Sequence, residues 1–295
     1  MASTNEKILV PIGFTNQSIL ALQQAVIVAK RTNSDLVLLS VVEMPSVLQK
    51  LFSDYDEKQI EFKDKVRDNL NELVDEYCAD VNVAECIVAV GKIYEKITET
   101  AEMIDASLII MGTDGTPKEI KKKFIGSNAN NVVRSATCPV ITLKGKEIKN
   151  QCDLIALPLD LNKETREKVT HAIKFARLFH SSIRVFSVSF DNNDDTVKNK
   201  LKRNLSQVND FIKSKGVDCS MEYVEVDSSK SFSGSIVEYT HKIGADLLMI
   251  MTKEESNIEL NFIGSNARKV INKSDIPVMS IHPVPKKDTS AFTVQ

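Results

Sequence analysis

Glycine is scarce in this sequence, at 10 residues out of 295, about half of ordinary usage. Three of the ten, Gly112, Gly115 and Gly126, lie close together, so that stretch draws attention. The five cysteines (Cys78, Cys86, Cys138, Cys152 and Cys219) are odd in number and never spaced as Cys-x-x-Cys. That is poor material for a disulfide framework or a structural zinc site. Four histidines, at 171, 180, 241 and 282, stand apart with no His-Glu-x-x-His, and each reads as a surface or packing residue. An excess of either charge is also missing. With 38 basic and 40 acidic residues the net charge is −2, so no bulk field draws nucleic acid or an anionic membrane. No apolar run approaches the ~20 residues that span a bilayer. The first residues lack the basic-then-apolar layout of a signal peptide, and a cytoplasmic protein is expected. Hydrophobic residues at 42% and charged residues at 26% suit a folded chain, and the length suits about two domains.

What the sequence does contain is a second copy of itself. Phe-Ile-Gly-Ser-Asn-Ala occurs at 124–129 and again at 262–267. At the same offset of 138, Val132 and Val133 align with Val270 and Ile271, and Cys138-Pro-Val140 aligns with Ile276-Pro-Val278. Near the two starts the offset is 147: Lys7–Pro11 matches Leu154–Pro158, and Leu36–Ser40 matches Ile183–Ser187. A period near 140 is too long for a solenoid repeat, so a duplicated domain is expected. Its units run 1–145 and 151–284, with a polar linker at Lys144–Asn150 and a loose tail at 285–295.

Each copy alternates strand and helix. Ile8–Val10 is a short apolar run ended by Pro11. Residues 18–31 place Ile19, Leu22, Val26 and Ala29 near a 3.6-residue period. Leu36–Val42 is a run of leucine and valine broken only by Ser40, the mark of a strand buried on both faces. Helices follow over 57–78, 93–104 and from Asn128, with strands over 84–90, 108–111 and 140–143. The second copy predicts strands near 154–158, 183–189, 219–226, 247–251 and 278–282, and helices near 163–179, 196–215, 234–243 and 266–273. The fold class is therefore α/β: two tandem Rossmann-like domains, each a five-stranded parallel sheet with helices on both faces.

In such sheets ligands sit beyond the carboxyl ends of the strands, where the strand order reverses. There, in the first copy, the strand at Leu108–Met111 runs straight into Gly112-Thr-Asp-Gly115, and ten residues later come Gly126 and Ser127 at a helix start. Glycines let backbone N–H groups approach an anion, and a helix N-terminus offers free donors and a partial positive charge. One reading is a phosphate cradle. The other is a turn followed by a serine N-cap. The repeat bears on both: Gly264 and Ser265 recur at the matching helix start, whereas Gly112 aligns with Met251 and Gly115 with Glu254. The glycine pair thus reads as ligand machinery present in one copy.

With these residues in view, the chain resembles a tandem member of the universal stress protein (UspA-like) family over 6–144 and 152–283. The likeness rests on Ile8–Pro11 followed by Phe14-Thr-x-x-Ser18, on Gly112-x-x-Gly115 leading to Gly126-Ser127, and on Cys138-Pro-Val140. ATP-binding members resemble Gly-x-x-Gly, nine residues, then Gly-Ser or Gly-Thr. The resemblance implies that Gly112, Gly115, Gly126 and Ser127 hold phosphates and that Pro11, Ile12, Gly13 and Val41 flank the adenosine, with Met111 and Asn128 also among the cofactor-binding residues. The sequence departs from the pattern twice. The spacer Thr116–Ile125 has ten residues, and Gly13 stands where an aspartate is usual. The second copy keeps that aspartate as Asp160 and has a nine-residue spacer, Glu255–Ile263, but lacks both glycines. Asp160, Gly264 and Ser265 are its weaker candidates, with Glu254 and Glu255 repelling a phosphate.

Other features are plainer. Lys121–Lys123 either draws a polyphosphate or is a solvated loop, and Lys198–Arg203 is the wet face of a helix. Cys138 aligns with Ile276 and behaves as a small apolar residue. The serines of 228–235 supply helix caps such as Ser233. No nucleophile pairs with a base near Gly112–Ser127, and Asp114 is the loop turn's one acid. The leading expectation is a regulatory protein, not an enzyme, that binds ATP or a related adenine nucleotide, with Mg²⁺ bridging its phosphates. The alternatives are a nucleotide-free scaffold that meets an unknown protein partner or a second copy of itself as a homodimer, and a slow ATP hydrolase. By the family resemblance, two such domains pair through their last strands.

Overall fold

The structure, a computed structural model, describes residues 5–43, 57–113, 126–144, 151–160, 165–252 and 265–282. The linker at 145–150, the tail after 282 and Lys121–Lys123 lie outside them. The first half runs β1 (Lys7–Pro11), α1 (Asn16–Thr32), β2 (Asp35–Val42), α2 (Glu57–Tyr77), β3 (Val83–Val90), α3 (Ile93–Met103), β4 (Ala106–Gly112), α4 (Ser127–Ser135) and β5 (Val140–Leu143). The second half repeats the order with β6 (Leu154–Pro158), α5 (Thr165–Phe179), β7 (Ser182–Phe190), α6 (Asp195–Ser214) and β8 (Cys219–Val226). It ends with α7 (Phe232–Lys242), β9 (Leu247–Met251), α8 (Ser265–Lys273) and β10 (Val278–Ile281).

Among the described residues the ten strands form one sheet, in the order β3-β2-β1-β4-β5-β10-β9-β6-β7-β8. Every neighbouring pair is parallel except β5 with β10, where Val140, Ile141 and Thr142 face Ser280, Met279 and Val278 in antiparallel register. The last strands do pair, and they do so within one chain. Because strand side chains alternate, the apolar runs feed two cores. Ile8, Val10, Leu36 and Leu38 meet α1, α2, α5 and α6 on one face. Leu9, Val37 and Leu39 meet α3, α4, α7 and α8 on the other. Both cores cross the junction, as Met279 and Ile281 of β10 join the first and Val278 the second. Two polar ties reinforce it: Lys144 donates to the Asn272 carbonyl in the last turn of α8 (2.8 Å), and Lys174 of α5 pairs with Glu6 (2.8 Å).

Helix α1 begins two residues before the sequence expectation. Thr15 caps it: its hydroxyl accepts from the Ser18 N–H, and the Ser18 hydroxyl accepts from the Thr15 N–H, a reciprocal pairing that fixes where the helix starts. The other end closes on Asn33 at φ 52°, with Lys30 and Arg31 in the last turn, where cations suit the helix dipole. Among the serines of 228–235 the cap is Ser231, which accepts from the Gly234 N–H. Ser233, the expected cap, is instead buried as the second residue of α7. All five cysteines are free. Burial pushes the Cys138 thiol up to about 11, in keeping with its apolar role. No helix among the described residues is long and apolar enough to cross a membrane.

Candidate functional site

The strand order reverses between β1 and β4 in the first half and between β6 and β9 in the second. In the first, β1 ends at half-buried Pro11, and buried Ile12 continues the ladder by donating to the Leu39 carbonyl (2.7 Å). Gly13 then faces solvent, and a Cβ added there would meet nothing within 4 Å. Val41, half-buried near the end of β2, lies on the neighbouring strand. Phe14 turns the chain into α1 at φ 54°, a region costly for a bulky residue, and keeps much of its ring in solvent.

Across the crevice, β4 ends with Met111 buried in the core and Gly112 beside α1. Thr113 donates its N–H to the Leu143 carbonyl (3.0 Å), and its own carbonyl accepts from Gly126 (2.8 Å). Thr113 and Gly126, far apart in sequence, are thus joined by a backbone hydrogen bond. Gly126 is the N-cap of α4, with no side-chain cap bond and no acidic residue in the first turn. Ser127 is the first helical residue and is exposed, so the serine-cap reading gives way. The backbone of Gly126 sits in the cap position, and the N–H groups of the first turn, Ser127 and half-buried Asn128 among them, have no capping side chain. Thr113, whose carbonyl accepts from Gly126, is 3% exposed, and its buried hydroxyl has no hydrogen-bond partner among the described residues.

Gly112 has a reason of its own. A Cβ there would stand 2.8 Å from the Gln17 carbonyl carbon and oxygen. Its bareness lets the first turn of α1 settle on the end of β4, so the absence of glycine from the second copy does not by itself mark ligand machinery.

The second half fills the same place from within. Lys168 of α5, 5% exposed, donates to the Pro158 carbonyl (2.5 Å). Ser187 donates to the Leu159 carbonyl (2.8 Å), and Asn204 to that of Asp160 (2.8 Å). Three successive strand-end carbonyls are thus engaged by their own half. At the offset of 147, Lys168 stands where the first half has Ala21. Thr252, the counterpart of Thr113, bonds the Ile281 carbonyl (3.3 Å) and His282 Nδ1 (2.8 Å).

The Universal stress protein family matches this sequence over residues 4–144 and 221–282. The chain belongs to that family. A universal stress protein relative from Staphylococcus aureus (strain USA300) is 26% identical over 151 residues, 49% of this chain and 87% of its own length. The crystal structure of a universal stress protein from Archaeoglobus fulgidus DSM 4304 is similar at a TM-score of 0.74 and 19% identity, covering 96% of this chain and 97% of the other. That of a universal stress protein relative from Pseudomonas aeruginosa UCBPP-PA14 gives 0.69 at 20%, over 95% and 94%. At such identities the likeness shows the fold alone.

Within this universal stress protein, Pro11, Ile12 and Gly13 stand at the end of β1, Met111 and Gly112 at the end of the neighbouring β4, and Gly126, Ser127 and Asn128 at the start of α4. Gly115, Asp114, Gly264, Glu254 and Glu255 lie outside the described residues. Ser265 opens α8, and Asp160 follows the end of β6. The sequence reading passed over Thr113, Lys168 and Asn204. A lysine on the apolar stripe of α5, opposite an alanine in the other copy, was the available signal for Lys168. The contrast between Thr113 and Thr252 had none, because the residue type is the same.

Proposed function

We propose that this member of the universal stress protein family is a stress-response regulatory protein that binds ATP or a related adenine nucleotide in its first half. One observation carries the reading: a buried hydroxyl without a described partner, Thr113, lies beside an uncapped helix N-terminus, while its counterpart Thr252 is satisfied. A buried hydroxyl without a partner is unfavourable by about 1–3 kcal/mol, and a phosphate oxygen at the α4 N-terminus would accept its proton. The donors present therefore fit a nucleotide phosphate. Gly115, Ser127 and Asn128 hold the phosphates through backbone N–H groups, Gly126 keeps the cap position bare while its own N–H stays on the Thr113 carbonyl, and Pro11, Ile12, Gly13 and Val41 border the adenosine. With Gly13 in place of a carboxylate, the ribose side is left open. Mg²⁺ bound with the nucleotide would offset phosphate charge, held mainly by phosphate oxygens and water.

In this reading the units 1–145 and 151–284 are two domains of one duplicated design. The second is a closed copy, its strand-end carbonyls engaged by Lys168, Ser187 and Asn204. The role is regulatory binding. Slow ATP hydrolysis would in addition need a general base beside the phosphates. The scaffold alternative draws on the paired β5 and β10, which leave β3 and β8 as the edges of the sheet. A homodimer or another protein partner would use a surface other than the last strands. The test is to denature freshly purified full-length protein and identify the released small molecules by mass spectrometry. An adenine nucleotide near one per chain is expected. Its absence, together with no uptake from added ATP, overturns the reading.

A further inference from the structure

We infer that a second small-molecule site lies between the two halves, in the cleft between α1 and α5, and that it takes a small uncharged molecule with one apolar ring and one hydroxyl group. The cleft opens at the amino ends of β1 and β4, the opposite end of the sheet from the nucleotide crevice, and has a volume of about 80 Å³. At roughly 10–15 Å³ per water-sized group, that holds about five to eight such groups, the size of a single ring. Its walls are apolar: Val28 from α1, Leu108 from β4, Phe175 and Leu178 from α5, and Met279 from β10.

The polar groups around it set the chemistry. The Thr32 hydroxyl donates to the Val28 carbonyl (2.9 Å), and that of Ser107 to the Lys7 carbonyl (3.1 Å). Glu6 and Lys174 neutralise each other at the rim, 2.8 Å apart. The Ser34 hydroxyl is paired with that of Thr32 (2.7 Å), and what remains is His171 of α5, half-buried, whose side chain has no hydrogen-bond partner among the described residues. A neutral imidazole carries one donor and one acceptor nitrogen, and a ligand hydroxyl matches either. Burial lowers the pKa of His171 and so keeps the ring neutral. A charged ligand would find its one available cation already paired with Glu6. A wholly apolar ligand would leave the imidazole unsatisfied.

Phenol, toluene and benzoate serve as probes, titrated into the full-length protein with affinities read from the probes' own NMR resonances, and in the wild type the His171 ring resonances are followed as well. Phenol should shift the ring resonances saturably, with a Kd on the order of 1 mM, and should bind more tightly than either toluene or benzoate. His171→Leu should reduce phenol affinity about fivefold, the effect of one hydrogen bond, while toluene affinity holds. The order of the three probes on the wild-type protein needs no variant to fold. An absence of saturation, benzoate or toluene binding more tightly than phenol, or undiminished phenol binding in His171→Leu would each overturn the inference. Because the cleft lies away from α4, none of these outcomes bears on nucleotide binding.

Discussion

Replacing Thr113 by valine exchanges one hydroxyl for a methyl group on the same branched frame. In nucleotide-free protein the removed hydroxyl has no described partner, so Thr113→Val should lie within about 0.5 kcal/mol of wild type or above it. The same exchange at Thr252 removes a hydroxyl that bonds the Ile281 carbonyl and His282 Nδ1, and should lower stability by about 1–3 kcal/mol. Urea unfolding, followed by far-ultraviolet circular dichroism, measures both. Adding ATP reverses the ranking of interest. At a free concentration a hundredfold above Kd, a bound ligand stabilises by about 2.7 kcal/mol. If Thr113→Val loses a hydrogen bond to a phosphate and binds about tenfold more weakly, its gain falls to about 1.4 kcal/mol. Thr252→Val should keep the full gain. A Thr113→Val protein as damaged as Thr252→Val without ligand, or stabilised by ATP as fully as wild type, would refute the reasoning.

Gly112→Ala should lower stability by about 1–3 kcal/mol even without nucleotide, since its Cβ meets the Gln17 backbone at 2.8 Å. Gly13→Ala, with nothing within 4 Å, should be neutral or stabilising by up to about 1 kcal/mol. Equal urea midpoints for the two would contradict the close approach of α1 to β4. The burial of His171 lowers its pKa from 6.5, with Glu167 opposing and Lys174 adding to the shift, and Glu6 pairs with that lysine at the same rim. The unfolded chain then takes up a proton that the folded chain refuses, so this contribution to stability is present above about pH 6.5 and is lost as pH falls towards the lower folded value. The acid limb of a stability-against-pH curve should therefore be shallower in His171→Leu, and an unchanged limb would contradict that assignment.

Much of the fold was legible because it follows from periodicity. Leu36–Val42, apolar except for the buried Ser40, had to be covered on both faces, and the repeated Phe-Ile-Gly-Ser-Asn-Ala marked the same helix start twice. Helix caps were less legible, for a local reason. Gly126 and Ser127, or Ser231 and Ser233, are all good capping types, and backbone geometry decides between neighbours. The site was legible as a place but not as a mechanism. Glycine spacing pointed to the end of β4. What separates the halves, however, is whether Thr113 and Thr252 find partners, and whether Lys168 and Asn204 reach the end of β6. Those contacts join residues from different elements and leave no trace in local pattern. Gly112 shows the reverse: a residue chosen for its pattern that also answers to packing against Gln17.

The most direct test is calorimetric titration of nucleotide-free, full-length protein with ATP, with and without Mg²⁺. One ATP per chain is predicted, weakened about tenfold or more by Thr113→Val and unaffected by Thr252→Val. No binding at about 1 mM ATP, two equivalent sites, or a single site abolished by Thr252→Val and untouched by Thr113→Val would contradict a nucleotide site confined to the first half.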